Sequence, residues 1–176
     1  MEQSEPYAEA FGAFMHAWLG RALRYCAVLS RDKEVAEEVT QRVFVKLFRT
    51  RATPWEVTHP AAYLYKALRN GMADYRKTEM QQHASKGVTD YLVGPGTPDA
   101  ESAQAVAAAL LALSDDHREA LSLRYFESMS LHEVAEVMGR SVGAVNKLIA
   151  RGKIELRQVL LSAGEFDEFG AQGGRP

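Results

Sequence analysis

Apolar residues recur along this chain three and four positions apart, a spacing that predicts helices throughout and no convincing strand. Residues 7–29 place Phe11, Phe14, Leu19, Leu23 and Cys26 at helical spacing, as one long helix or two short ones. Asp32 is suited to cap the next helix, which runs to about Phe48 with Val35, Ala36, Val39, Val43 and Leu47 on one face. Its opposite face offers Glu37, Glu38, Gln41, Arg42 and Lys46. The loop RTRATPWEVTHP then leads to Pro60, whose fixed φ fits the first turn of a third helix. That helix, from Ala61 to about Glu79, buries Ala62, Leu64, Leu68 and Met72 and carries Lys66, Arg69, Arg76 and Lys77.

From Gln81 to about Ser102 the periodicity fails, and HASKGVTDYLVGPGTPDAES is rich in glycine, proline and small polar residues, the composition of a linker. A second helical unit begins near Ala103 with AQAVAAALLAL, and Ser114 can cap the helix DDHREALSLRYFE that follows. Ser130 to Arg157 then reads as a helix, a glycine turn and a basic helix, the layout of a helix-turn-helix. Ser130 and Glu133 are spaced as a capping box, and Leu131, Val134, Ala135 and Met138 share one face. Gly139 falls where the chain turns sharply, and Ser141 can cap the second helix. On that helix Val142, Val145, Ile149 and Leu156 form a seam, leaving Gly143, Ala144, Asn146, Lys147, Ala150, Arg151 and Lys153 outward. Small residues let such a helix approach base edges, and Asn, Lys and Arg donate to bases and phosphates. The competing reading is a helical hairpin with a solvated basic face. The expected architecture is all-α: a helical domain over 1–82, a flexible linker over 83–102, a helix-turn-helix domain over 103–161, and a disordered tail over 162–176.

Charge changes the picture more than composition does. The 176 residues carry a formal net charge of −2, low for a nucleic-acid binder. The distribution resolves this: residues 41–86 sum to +6 and 140–158 to +4, and between them 87–139 sum to −7. Two separate phosphate-facing surfaces account for this better than one uniform basic face. The acidic block is also placed to screen the basic surfaces when the protein is free. No apolar run approaches the ~18 residues that span a bilayer, which together with the single cysteine, Cys26, gives a cytoplasmic expectation. Chemistry of its own is not expected. His132 and Glu133 begin an HExxE sequence, one histidine short of a zinc-protease helix, and His16, His59, His83 and His117 have no ligand spacing. No glycine-rich phosphate cradle is present, so no enzymatic activity, metal or cofactor is anticipated.

Taken together, the two halves resemble the extracytoplasmic-function sigma factors of bacteria, the smallest members of the sigma-70 family, over about residues 8–161. DKEVAEEVTQRVFVKLFR is similar to the family's second-region helix, and PAAYLYKALRNGMADYRK to the segment ending in Asn, Asp and a basic pair, here Asn70, Asp74, Arg76 and Lys77. ALLALSDDHREALSLRYFESMSLHEVAEVMGRSVGAVNKLIARGKIELR resembles the fourth region nearly end to end. The resemblance implies a subunit that binds core RNA polymerase and directs initiation at −10 and −35 promoter elements. Glu37, Glu38, Gln41, Phe44 and Lys46 would dock on the clamp helices of the largest polymerase subunit, and the polymerase flap is a further contact that the resemblance implies. Trp55, Tyr63, Lys66, Arg69, Asn70, Asp74, Arg76 and Lys77 would take the −10 element and the opened single strand. Of the aromatic candidates Trp55, Tyr63, Tyr65 and Tyr75, two are expected in the core, and Asn70 and Asp74 either contact bases or hold loop structure. Arg140, Ser141, Gly143, Ala144, Asn146, Lys147, Arg151 and Lys153 would face the −35 duplex. An anti-sigma protein, often membrane-anchored in the family, is the further partner the resemblance implies. The chain departs from the family at Tyr63-Leu64, where Trp-Leu is usual, and at Asn146 to Ile149, where more basic residues are usual. Two rival readings remain: a helix-turn-helix operator-binding regulator independent of polymerase, and a protein-binding helical adaptor.

Overall fold

The computed structural model describes residues 4–79, 93 and 100–163, and every regular element among them is helical. The first lobe is built from α1 (Ser4–Ser30), α2 (Lys33–Arg49), a 3-10 turn (Pro54–Glu56) and α3 (Pro60–Glu79). The second comprises α4 (Ala100–Ala112), α5 (Asp115–Leu121), a π-helical turn (Ser122–Phe126), α6 (Leu131–Met138) and α7 (Val142–Ser162). The expected linker over 83–102 lies mostly outside the described residues, and α4 starts at Ala100, three positions earlier than the sequence pattern suggests. The tail beyond residue 163 is likewise outside them.

The first lobe closes around an apolar seam shared by three helices. Cys26, Ala22 and Tyr25 of α1, Ala36 and Val39 of α2, and Leu64, Tyr65 and Leu68 of α3 are essentially withdrawn from solvent. Burial pushes the Cys26 thiol up to about 12, so it is an inert packing residue. The α1 region is one long helix rather than two: its interior glycines, Gly12 and Gly20, do not interrupt it, and Pro6 stands in the first turn, where proline is tolerated. The Asp32 side chain accepts the Val35 amide at 3.0 Å and so starts α2 one residue after the turn. Tyr7 ties the far end of this lobe, its hydroxyl donating to the Ala52 carbonyl at 3.1 Å.

Local signals in the second lobe act as their spacing suggests. Ser130 accepts the Glu133 amide at 3.2 Å while Glu133 accepts the Ser130 amide at 2.8 Å, a complete capping box. Gly139 takes φ 63° and ψ 37°, the left-handed conformation that ends α6 and turns the chain into α7. Ser141 accepts the Ala144 amide at 3.2 Å. Ser114 differs: it occupies the cap position of α5 without a side-chain bond, and its amide is instead taken by Glu155 Oε1 at 3.1 Å. The π-helical turn after α5 has no warning in the apolar pattern.

The two lobes are in contact rather than strung apart. The first helix of the helix-turn-helix packs directly on α3, and α1 packs on α5. Replacement Ser130→Ala removes one arm of the capping box and should lower unfolding stability by about 1 kcal/mol, measured by urea denaturation.

Candidate nucleic-acid and partner surfaces

A groove of about 660 Å³ runs between α2 and α3. Gly71 lines it where the two helices approach closely, since an added Cβ would sit 2.8 Å from Val43 Cγ2 and 3.3 Å from Val39 Cγ1. Arg42 and Lys46 rise from the α2 side, and Tyr63, Lys66, Asn70 and Asp74 from the α3 side. Tyr63 keeps 39% of its surface exposed, a ring available for stacking. The Arg42 guanidinium is held over the groove by Glu38 and by the Tyr75 ring, 5.6 Å from its centroid. Cations that follow phosphates, beside an open ring and an amide, are what single-strand capture requires.

Of the residues expected to take the opened strand, Tyr63, Lys66, Asn70 and Asp74 therefore line one groove. Lys77 is exposed nearby, its ammonium 3.9 Å from Asp74. Arg69 and Arg76 point elsewhere: Arg69 Nε donates to Glu119 of the second lobe at 2.9 Å, and Arg76 donates to the Leu29 carbonyl of α1 at 2.7 Å, its guanidinium 3.9 Å from Asp115 of the second lobe. Trp55 is half-buried, its ring within 5.7–6.2 Å of those of Tyr7, Phe14 and Phe11. Tyr65 and Tyr75 are buried in the core. Lys46, read from sequence as a protein-docking residue, shares the groove with Lys66. Arg42 was assigned no role in the strand reading; its position four residues before Lys46 was the available signal.

A second hollow, about 620 Å³, opens between α1 and α2 on another face. Phe11, Met15, Leu19, Leu23, Phe44 and Val45 line it, with Glu37, Gln41 and Arg49 among its polar neighbours. Met15, Leu19, Val45 and Phe48 remain more than a third exposed there. Glu37, Gln41 and Phe44 fall on this surface as the docking reading expects, whereas Glu38 pairs with Arg42. An apolar trough with a charged border suits a helical partner.

On α7 the buried Val145 and Ile149 fix the orientation of the helix, and Gly143, Asn146, Lys147, Ala150, Arg151 and Lys153 face solvent. Arg140 is bound to Asp116 at 2.6 Å, and the Lys153 ammonium lies 5.1 Å from the Tyr125 ring centroid. His117 on α5 pairs with Glu155, which ties α7 to α5. That bond holds the Glu155 carboxyl below its ordinary range, and the Ser130 amide and hydroxyl do the same for Glu133. Among the described residues no cluster of His, Cys, Asp or Glu could hold a metal ion, and no helix is long and apolar enough to cross a membrane.

Comparison with known proteins adds the context. The sigma-70 region 2 family profile matches residues 14–81, and the sigma-70 region 4 profile matches 103–156. A probable RNA polymerase sigma factor RfaY of Xanthomonas campestris pv. campestris is 26% identical over 178 residues, covering 96% of this chain but only 44% of that protein. The RNA polymerase sigma factor CarQ of Myxococcus xanthus is 28% identical over 148 residues, covering 80% of this chain and 83% of CarQ. In fold, the chain is similar to the sigma factor RpoE solved in complex with the anti-sigma factor NepR from Bartonella quintana. That likeness has a TM-score of 0.64 at 22% identity over 85% of this chain and 97% of that one.

Because Glu133 and Glu155 titrate below their ordinary value of 4.5, the stability they contribute is complete above that pH and is lost as pH falls through their lower folded values. Denaturation of the protein from about pH 6 downward should show stability falling below about pH 4.5, with a shallower fall in Glu155→Gln.

Proposed function

Since the chain belongs to the extracytoplasmic-function branch of the sigma-70 family, we propose that it binds core RNA polymerase and selects promoters by reading two DNA elements with two different surfaces. The observation that carries this reading is the pairing, in one small chain, of a cation-lined groove with an open tyrosine ring and a separate exposed basic helix. The first is shaped for a single strand and the second for a duplex major groove. An operator-binding regulator needs only the second.

In this reading residues 1–82 form the polymerase-docking and −10 domain and residues 103–161 the −35 domain, joined through 83–102. Core polymerase supplies the catalysis; the chain supplies recognition. The hollow between α1 and α2 receives a helical element of the largest subunit, which buries Val45, Phe48 and Met15 and sets Glu37 and Gln41 at the rim. Docking there leaves the α2/α3 groove free, because it lies on a different face of α2. Lys46, Lys66 and Arg42 then track the phosphates of the non-template strand while Tyr63 and Asn70 meet unstacked bases. Asp74, whose carboxylate lies 3.9 Å from the Lys77 ammonium, draws that cation to the end of the groove.

On the second domain, the small residues Gly143 and Ala144 allow the start of α7 to approach base edges. Asn146, Lys147 and Arg151 supply donors along the helix, with Arg140, Ser141 and Lys153 at its margins. Neither surface needs high affinity alone. Once both are fixed on polymerase, the second contact is made at the effective concentration the tether sets. Anti-sigma partners of related proteins suggest a protein inhibitor for this one, and the exposed apolar hollow is the surface such a partner would compete for.

Run-off transcription with core polymerase tests the proposal: the chain should redirect initiation to new start sites, and unaltered start sites would reject it. Arg151→Ala should weaken binding to −35 duplex by about 1–3 kcal/mol and relax preference at one base pair, read by fluorescence anisotropy against a set of single-base variants. Val45→Glu places a charge in the docking hollow and should weaken association with core polymerase at least about tenfold, or 1.4 kcal/mol, with thermal stability unchanged.

A further inference from the structure

The join between the two lobes adds buried charge to an apolar core that runs through both. Glu119 of α5 and Glu127 beyond the π-helical turn are both carboxylates, yet each retains only 6% of its surface exposed. Each is received by one tyrosine and one arginine of the first lobe. Glu119 accepts from Tyr25 at 2.8 Å and from Arg69 at 2.9 Å. Glu127 accepts from Tyr65 and, at 2.7 Å, from Arg21. The two tyrosine rings meet edge to face at 4.9 Å, so the two clamps are built on one another.

Arginines of both lobes add to the join. Arg118 of the second lobe, 1% exposed, donates to the Val28 carbonyl at 2.8 Å. Arg31, with φ 58°, donates to the Leu113 carbonyl at 2.9 Å. Arg76, bonded within its own lobe to the Leu29 carbonyl, comes within 3.9 Å of Asp115. Buried pairs of this kind give little net stability but strong specificity for one arrangement, since breaking one strands a desolvated charge. They suit a contact that must be definite and still reversible.

The closed arrangement is incompatible with reading a whole promoter. Helices α3 and α6 are packed together, so their axes lie about 8–10 Å apart. Elements at −10 and −35 are separated by about 25 base pairs, on the order of 85 Å at about 3.4 Å per pair. Closure also pairs Arg69 with Glu119 and sets Arg76 beside Asp115, which offsets two cations of the first lobe.

We propose that Glu119 and Glu127, held by Tyr25–Arg69 and Tyr65–Arg21, are the latch of an autoinhibited closed state in which the free chain cannot engage both promoter elements. The occlusion half of this inference rests on the function proposed above; the latch itself does not. Two full-length variants test it. Glu119→Gln with Glu127→Gln removes both charges, and Tyr25→Phe with Tyr65→Phe removes two donors while keeping the rings and the net charge. Circular dichroism establishes that helicity is retained.

Small-angle scattering should then show a larger radius of gyration for both variants than for the parent. Fluorescence anisotropy with a random pool of short single-stranded deoxyoligonucleotides should show binding at least about threefold tighter. The tyrosine variant excludes a simple gain from lost negative charge. Parent-like dimensions in both variants would overturn the latch, and expansion of the tyrosine variant without tighter binding would overturn the occlusion. Scattering involves no DNA, so a chain that fails to redirect core polymerase would reject the proposed function and leave the latch standing.

Discussion

A carboxylate taken out of water must keep a donor or a cation, and that requirement organises the contact between the two lobes. Glu119 and Glu127 could be withdrawn from solvent only because Tyr25, Arg69, Tyr65 and Arg21 are placed to receive them. Arg118 has the same need with the sign reversed: burial pushes its pKa down, and the Asp115 carboxylate and three backbone carbonyls offset that loss. The positions of α1, α3 and α5 relative to one another follow from satisfying these groups. The apolar core that runs through both lobes is non-directional and would not by itself fix the angle at which they meet.

Viewed this way, the first lobe serves three contacts with three faces. One face of α2 and α1 is an apolar hollow suited to a protein helix. The face between α2 and α3 is a cation-lined groove suited to a single strand. The remaining face, with Arg21, Tyr25, Tyr65 and Arg69, holds the second lobe. In the proposed function, this separation would let polymerase docking proceed without blocking the strand groove. The recognition helix of the second lobe stays exposed throughout, so closure limits geometry and charge rather than burying α7.

Much of this was legible in the sequence. Helix positions, the Asp32 and Ser141 caps, the Ser130–Glu133 capping box and the left-handed Gly139 depend on neighbours within one turn, and local rules reach that far. The inward seam at Val145 and Ile149 and the outward Asn146, Lys147 and Arg151 followed from helical periodicity. What periodicity could not give was direction around α3. Arg69 and Arg76 look equivalent to Lys66 in a list of basic residues, yet they lie on a different flank of the helix and meet carboxylates that are distant in sequence. Trp55 was similarly hidden: its aromatic partners Tyr7, Phe11 and Phe14 come from the start of the chain. The acidic stretch 87–139 did signal a screening role, but not that Glu119 and Glu127 would be the residues buried.

The central claim is that one chain holds its two DNA-reading surfaces together when free and separates them when it reads a promoter. Fluorescence energy transfer between dyes on exposed positions of α3 and α7 measures this directly. The account predicts a short separation in the free protein and one on the order of 85 Å in the complex with core polymerase and promoter DNA. Active transcription with the short separation unchanged would contradict it.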